Sequence, residues 1–251
     1  FSNENTKSKD YSKLVDIPRP GHADFVAAVK FEDFQDYRGG GHFSGRITLP
    51  IVAAGYIAKK QFSDISINAE LIEAGGVKPR IPAHAKNDPE VQRGIAEASA
   101  EGDSLGAIIE CEVKGLEVGY GEPFWDSVES MISHAIFSIP GVRGIEFGDG
   151  FAAARMKGSE HNDPIGEDGI PLKNGAGGVN GGITNGAPIV FRVAFKPTSS
   201  IGKAQRTFNF ATGELSSLEI PGRHDACIAL RTPVIVEAMT AIVLADLTRM
   251  L

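Results

Sequence analysis

An imidazole, a carboxylate and a guanidinium occur together near both ends of this 251-residue chain. The first stretch is Arg19-Pro20-Gly21-His22-Ala23-Asp24, followed by Tyr37-Arg38-Gly39-Gly40-Gly41-His42-Phe43-Ser44-Gly45-Arg46. The second is Pro221-Gly222-Arg223-His224-Asp225. These residue types can hold an anionic ligand and move a proton on it. Pro20 favours extension of Arg19, and in an extended segment His22 and Asp24 share a face. A His–Asp pair of this kind is suited to general acid chemistry near neutral pH. The alternative for one such hexapeptide is a turn with a solvated histidine. Chemistry requires the fold to bring the two stretches together.

Two further stretches suit anions. The run from Gly175 to Gly186 is rich in glycine. Such backbone exposes N–H groups that cradle an anion, and it lets a flat ligand approach closely. The alternative is a surface loop. The run does not fit the dinucleotide fingerprint, because no strand-to-helix unit surrounds it. Lys196-Pro197-Thr198-Ser199-Ser200 follows an expected strand and places one ammonium and three hydroxyls at its end, a set that suits phosphate. His84, His134 and His161 lack comparable company; His134 reads as a structural helix residue and His161 as a loop residue. No His/Cys/carboxylate set has metal spacing.

The elements that must position these residues are legible in part. Residues 1–24 read as an extended, Pro-rich approach. Phe25 to Phe31 reads as a strand, broken by Gly39–Gly41. Pro50 to Lys60 reads as a helix, with proline in its first turn and lysines in its last. Its small residues Ala53, Ala54, Gly55 and Ala58 predict close packing on a neighbour. Ile65 to Leu71 reads as a strand. Asp88-Pro89-Glu90 is a helix start, with Val91, Ile95 and Ala98 on one face and Gly102 as the stop. Ile109, Cys111 and Val113 alternate with Glu110 and Glu112, as in a half-solvated strand. Trp125, Val128, Ile132 and Ile136 recur at helical spacing behind Pro123. Phe191, Val193 and Phe195 form another strand, and Thr207–Phe210 with Leu215–Leu218 form a hairpin. Val234 to Leu251 is apolar nearly all round as far as Ala245, which predicts a helix buried from several sides. The order lacks a strict β-α-β rhythm, so the class is α+β. Neither linker nor repeat divides the chain, which predicts one domain over residues 1–251.

Composition sets the limits. Hydrophobic content is 42% and charged content 23%, ordinary for a globular protein. The formal charge of −7 argues against general nucleic-acid binding, and no apolar run is long enough for a membrane span. Cys111 and Cys227 form neither a disulfide framework nor a metal cluster, so a cytoplasmic location is expected.

Taken together and in this order, seven stretches resemble the chorismate synthase family: residues 19–24, 38–46, 148–152, 158–163, 175–186, 196–200 and 222–225. The resemblance implies a β-α-β sandwich with long helices between two antiparallel sheets. It implies a lyase that converts 5-enolpyruvylshikimate 3-phosphate to chorismate and phosphate by anti-1,4-elimination, using reduced FMN, with NADPH as a possible reductant. It also implies a homotetramer. Residue by residue, His22 and Asp225 match catalytic positions. Arg19, Ser44, Arg46 and Arg223 match substrate-binding positions. His42, Phe43, Ser44, Pro140, Gly141, Gly181, Lys196, Pro197, Thr198, Ser199, Ser200 and Arg223 match FMN-contacting positions. At 42–44 many members have Arg-Ser-Ser, so an arginine contact is replaced here by His-Phe-Ser. The family pattern also includes a preceding Gly-Glu-Ser-His-Gly motif with a second catalytic histidine, which the given sequence does not contain. On that ground the chain as given is expected to show little lyase activity, and the alternative is a non-catalytic flavin- or phosphate-binding fragment.

Overall fold

The structure, a computed structural model, describes residues 14–36, 38–220 and 225–249. Tyr37, Arg223 and His224 therefore lie outside the described residues, as does the side chain of Arg38. In chain order the elements are α1 (Asp24–Phe31), α2 (Thr48–Lys59), β1 (Ser66–Ala74), α3 (Pro89–Ala100), β2 (Ala107–Lys114), α4 (Val128–Ile136) and β3 (Val142–Phe147). They continue with α5 (Gly158–His161), β4 (Val179–Asn180), β5 (Ile183–Thr184), β6 (Ile189–Phe195), β7 (Gln205–Asn209), β8 (Glu214–Leu218) and α6 (Pro233–Leu247).

Four strands form an antiparallel sheet in the order β1-β2-β6-β3, and two hairpins, β4–β5 and β7–β8, stand beside it. This is the mixed helix and antiparallel-sheet class expected from the sequence. Alternation decides which face of the sheet is dry. Ile109, Cys111 and Val113 on β2 and Phe191 and Val193 on β6 are fully buried. The intervening residues carry charge on the other face, where Arg192 Nε donates to Glu110 Oε2 at 2.9 Å and Nη1 donates to Glu146 Oε1 at 3.3 Å.

Helix α6 packs against β1 and β2 and is flanked by α2 and α4. It is buried on more than one side, as its composition predicts: Val236, Met239, Thr240, Val243, Leu244 and Leu247 lie on one face and Ala238, Ala241 and Ala245 on the other. The contact with α2 is so close that a Cβ added at Gly55 would collide with Ala238. Of the four small residues on α2, Gly55 and Ala58 make this contact, while Ala53 and Ala54 face outward. Glu237 of α6 pairs with Lys59 of α2 and accepts from the Ala69 N–H of β1 at 3.0 Å, so all three elements share one polar bond set. Both cysteines are buried, and burial pushes the Cys111 thiol up to about 12, which leaves it unreactive.

Two local expectations are corrected. Residues 24–31 form helix α1 rather than a strand. A short apolar run does not separate the two by periodicity; here Ala27 and Ala28 favour helix, Asp24 opens it and Lys30 closes it. Trp125 is not on the helix face of Val128, Ile132 and Ile136. It lies in a preceding 3-10 turn, 86% exposed, because Ser127 caps α4 by accepting from Ser130 N at 3.1 Å.

Candidate active site

The loop at 196–200 joins the two ends of the chain. It leaves β6 at Phe195 and is fixed at its base where Lys196 N donates to Gly141 O at 2.9 Å, so Pro140–Gly141 forms the floor of the turn. On one side it grips the first histidine stretch. Lys196 Nζ donates to Gly21 O, Ser199 Oγ donates to Gly21 O at 2.8 Å, and Arg19 Nη1 donates to Ser200 Oγ at 3.0 Å. On the other side Thr198 Oγ1 donates to Asp225 O at 3.0 Å. The His22 turn and Asp225 are therefore both held by one five-residue loop. The segment leading to His22 is fixed independently by the β7–β8 hairpin, where Thr207 Oγ1 donates to Pro18 O at 2.7 Å.

Within the first stretch Asp24 is the hub. Its carboxylate accepts from Arg19 Nε and Nη2, both at 2.7 Å, and lies 2.6 Å from His22 Nδ1. A carboxylate only accepts and a guanidinium only donates. His22 Nδ1 faces both this carboxylate and Arg19 Nη2, which lies 3.0 Å away, while Nε2 points toward Gly40. Partial burial favours the neutral acid of Asp24, but hydrogen bonds and charge from Arg19 and His22 outweigh it and hold the carboxyl well below its usual range. Arg19 is buried, and its donors are spent inside the protein on Asp24 and Ser200.

The second stretch closes over Nε2. A Cβ at Gly40 would sit 3.5 Å from His22 Nε2 and 3.7 Å from Ser44 Cβ. His42 and Phe43 end a 3-10 turn, and Ser44 Oγ caps the next turn by accepting from Arg46 N at 3.2 Å. Phe43 lines a small cavity with Asp24, Ala27, Gln35 and Gly40, and Gln35 Oε1 is buried there with no hydrogen-bond partner among the described residues. Asp225 pairs with Arg231, whose Nη2 lies 3.1 Å from Oδ2. Arg223 lies outside the described residues.

Gly181 stands apart. It and Gly182 form the two-residue turn of the β4–β5 hairpin with φ of 62° and 94°, a conformation that favours glycine. The hairpin docks on the start of α4 through the Val128 N bond to Gly182 O at 3.0 Å. Sequence reasoning also missed a pairing. His161, read as lacking company, places Nδ1 3.0 Å from Asp149 Oδ2, and Lys173 lies near both Asp149 and Asp163. Asp163 in turn accepts from Gly175 N and Ala176 N, which ties down the start of the glycine run. Asp149 lies twelve residues before His161 and carried no spacing signal. Among the described residues no His/Cys/carboxylate group is arranged to hold a metal ion.

The sequence pattern of the family described as chorismate synthase matches residues 1–249. The chain belongs to the chorismate synthase family. A chorismate synthase of Chitinophaga pinensis is 58% identical over 98% of this chain and 71% of its own length. One from Dehalococcoides mccartyi is 45% identical over 98% of this chain and 73% of its own length. A crystal structure of chorismate synthase superimposes with a TM-score of 0.71 at 29% identity, covering 90% of this chain and 69% of that one. As a member of this family the protein is a lyase of the shikimate pathway, which agrees with a cluster that gathers a histidine, carboxylates and phosphate-suited donors. Among the described residues no helix is long and apolar enough to cross a membrane.

Proposed function

We propose that the protein converts 5-enolpyruvylshikimate 3-phosphate to chorismate and phosphate by anti-1,4-elimination, with reduced FMN bound beside the substrate. The observation that carries this is the 196–200 loop, which holds the His22 turn on one side and Asp225 on the other. The residues present fit a phosphorylated flavin. The loop gathers an ammonium and hydroxyls at the end of β6, a donor set suited to an anion. Lys196, Pro197, Thr198, Ser199 and Ser200, with Pro140, Gly141, His42, Phe43, Ser44 and Arg223, would hold the cofactor; Gly181, which stands apart from the loop, is assigned by the resemblance alone. Reduced flavin bound there would supply electron density to the reacting allylic system.

The chain's own residues handle protons and charge. Protonated on both ring nitrogens, His22 would give the Nε2 proton as phosphate departs and return to the neutral ring, with Asp24 beside Nδ1. Asp225 assists removal of the C6 proton. Arg46, Arg223 and Ser44 bind the substrate anions; Arg19 acts through Asp24 and Ser200 by holding the turn. Ligands carrying several negative charges favour guanidinium pairing. The whole chain acts as one domain of a cytoplasmic homotetramer, and NADPH is the reductant where the flavin is reduced in place. The test is anaerobic: with reduced FMN and 5-enolpyruvylshikimate 3-phosphate, chorismate absorbance should rise. The deciding sample is protein that also carries the family's Gly-Glu-Ser-His-Gly segment; absence of product from that protein, with FMN bound, would remove the lyase reading.

A further inference from the structure

Strand β3 carries an irregularity beside the 196–200 loop. Val142 pairs with Phe195 and Gly144 pairs with Ala194, so Arg143 is an extra residue opposite a single step of β6. A bulge of this kind interrupts the ladder and re-aims the side chain it carries. Arg143 is exposed and makes no hydrogen bond or ion pair among the described residues. Its strand is tied to the loop at two adjacent points, the Val142–Phe195 pair and the Lys196 N bond to Gly141 O. Lys196 has three N–H donors and uses two, on Gly21 O and Ser199 Oγ. Two cations thus stand at one corner of the sheet, and no carboxylate pairs with either among the described residues.

We infer that Arg143 and Lys196 together form a subsite for a phosphate monoester dianion, in which the bulged arginine supplies the fork and the lysine its third N–H. The charges already sense one another: partial burial and then the Arg143 charge lower the Lys196 ammonium below its usual range. An anion between them would relieve that repulsion, and a guanidinium meets a phosphate oxygen pair in a bidentate manner. The inference rests on the reading of the 196–200 loop as ligand-facing. The phosphate has two possible sources, the flavin and the shikimate substrate.

The experiment compares FMN, riboflavin and 5-enolpyruvylshikimate 3-phosphate as ligands of the native protein and of Arg143→Gln, by fluorescence and calorimetric titration. Riboflavin lacks only the phosphate of FMN. Loss of a charged hydrogen-bond pair predicts a fall in affinity on the order of tenfold. If FMN affinity falls and riboflavin affinity does not, the subsite takes the flavin phosphate. If FMN affinity is unchanged and substrate affinity falls, it takes the substrate phosphate. Arg143→Lys should recover part of either loss. Unchanged affinity for both phosphorylated ligands, with an unchanged melting temperature, overturns the inference. If native protein binds neither FMN nor substrate, the proposed function itself fails, a result that does not depend on Arg143.

Discussion

The layer formed by α2, α6 and the four-stranded sheet differs in construction from the cluster that holds His22. The layer is dry and contiguous, with Ile109, Phe191, Val193, Val236 and Leu244 essentially inaccessible. Charge meets its dry side only at the margin, where Lys59 pairs with Glu237, and the Arg192 pairs lie on the opposite face of the sheet. The cluster is an assembly of polar bonds between turns: Arg19 to Asp24, Gly21 to Ser199, Thr198 to Asp225. The two regions meet at few points, chiefly where β6 ends and the 196–200 loop begins. Stability and chemistry are thereby separated in the molecule, and substitutions should sort accordingly.

The strongest expected effect is on rate. On the proposed mechanism His22→Ala, made in protein that also carries the Gly-Glu-Ser-His-Gly segment, removes a general acid, a loss of about 10²–10⁴-fold in turnover. Flavin affinity and melting temperature should stay near native. A melting temperature that fell with the rate would show that the imidazole is part of the framework instead.

Asp24→Ala should blur the division, because it leaves the buried Arg19 guanidinium without its carboxylate. Breaking a buried pair this way costs about 3 kcal/mol at the lower end of the usual range. Its pH dependence has a definite sign. The folded carboxyl is lowered, so Asp24 contributes stability above its unfolded value, and that contribution disappears as pH falls through the folded value. Urea midpoints of native protein and Asp24→Asn should differ most near neutral pH and converge in acid, below roughly pH 4. A constant gap would place the effect in packing rather than ionisation.

Gly55→Val tests the layer. The added atoms meet Ala238 backbone and side chain, and overpacking costs about 1–3 kcal/mol or more. The site's flavin affinity, measured well below the melting temperature, should be unaffected. The smallest effect is expected at the junction. Thr198→Val removes the bond to Asp225 O, a loss of about 1 kcal/mol. That change should alter turnover more than stability, because it loosens Asp225 without touching the layer.

The layer was more legible in the sequence than the cluster. Alternation located β2 and β6, an Asp-Pro-Glu start located α3 with Asp88 accepting from Glu90 N at 3.0 Å, and uniform apolarity identified α6. These signals are local and repeat along the chain. The run 25–31 misled, because seven mostly apolar residues satisfy either period and Phe25 is used sideways, stacked 5.2 Å from Phe210. In the cluster, the residue types at 19–24 and 196–200 were legible but their partners were not. Nothing in the spacing of Arg19 says that its donors turn inward to Asp24 and Ser200. Arg143 gave no signal, since a bulge depends on the register of a partner strand. Asp149 and His161 meet through a turn whose course the sequence does not encode at any fixed interval.

The bonds that assemble the cluster span most of the chain. Arg19 to Ser200 bridges 181 residues and Gly21 to Ser199 bridges 178. Contacts of such high contact order form only after a very long loop has closed, and the entropy of that closure is offset once intervening structure has already brought the ends near. The sheet and α6 hold the two ends of that loop near each other, so amide exchange should be faster at 19–24 and 196–200 than in β2, β6 and α6.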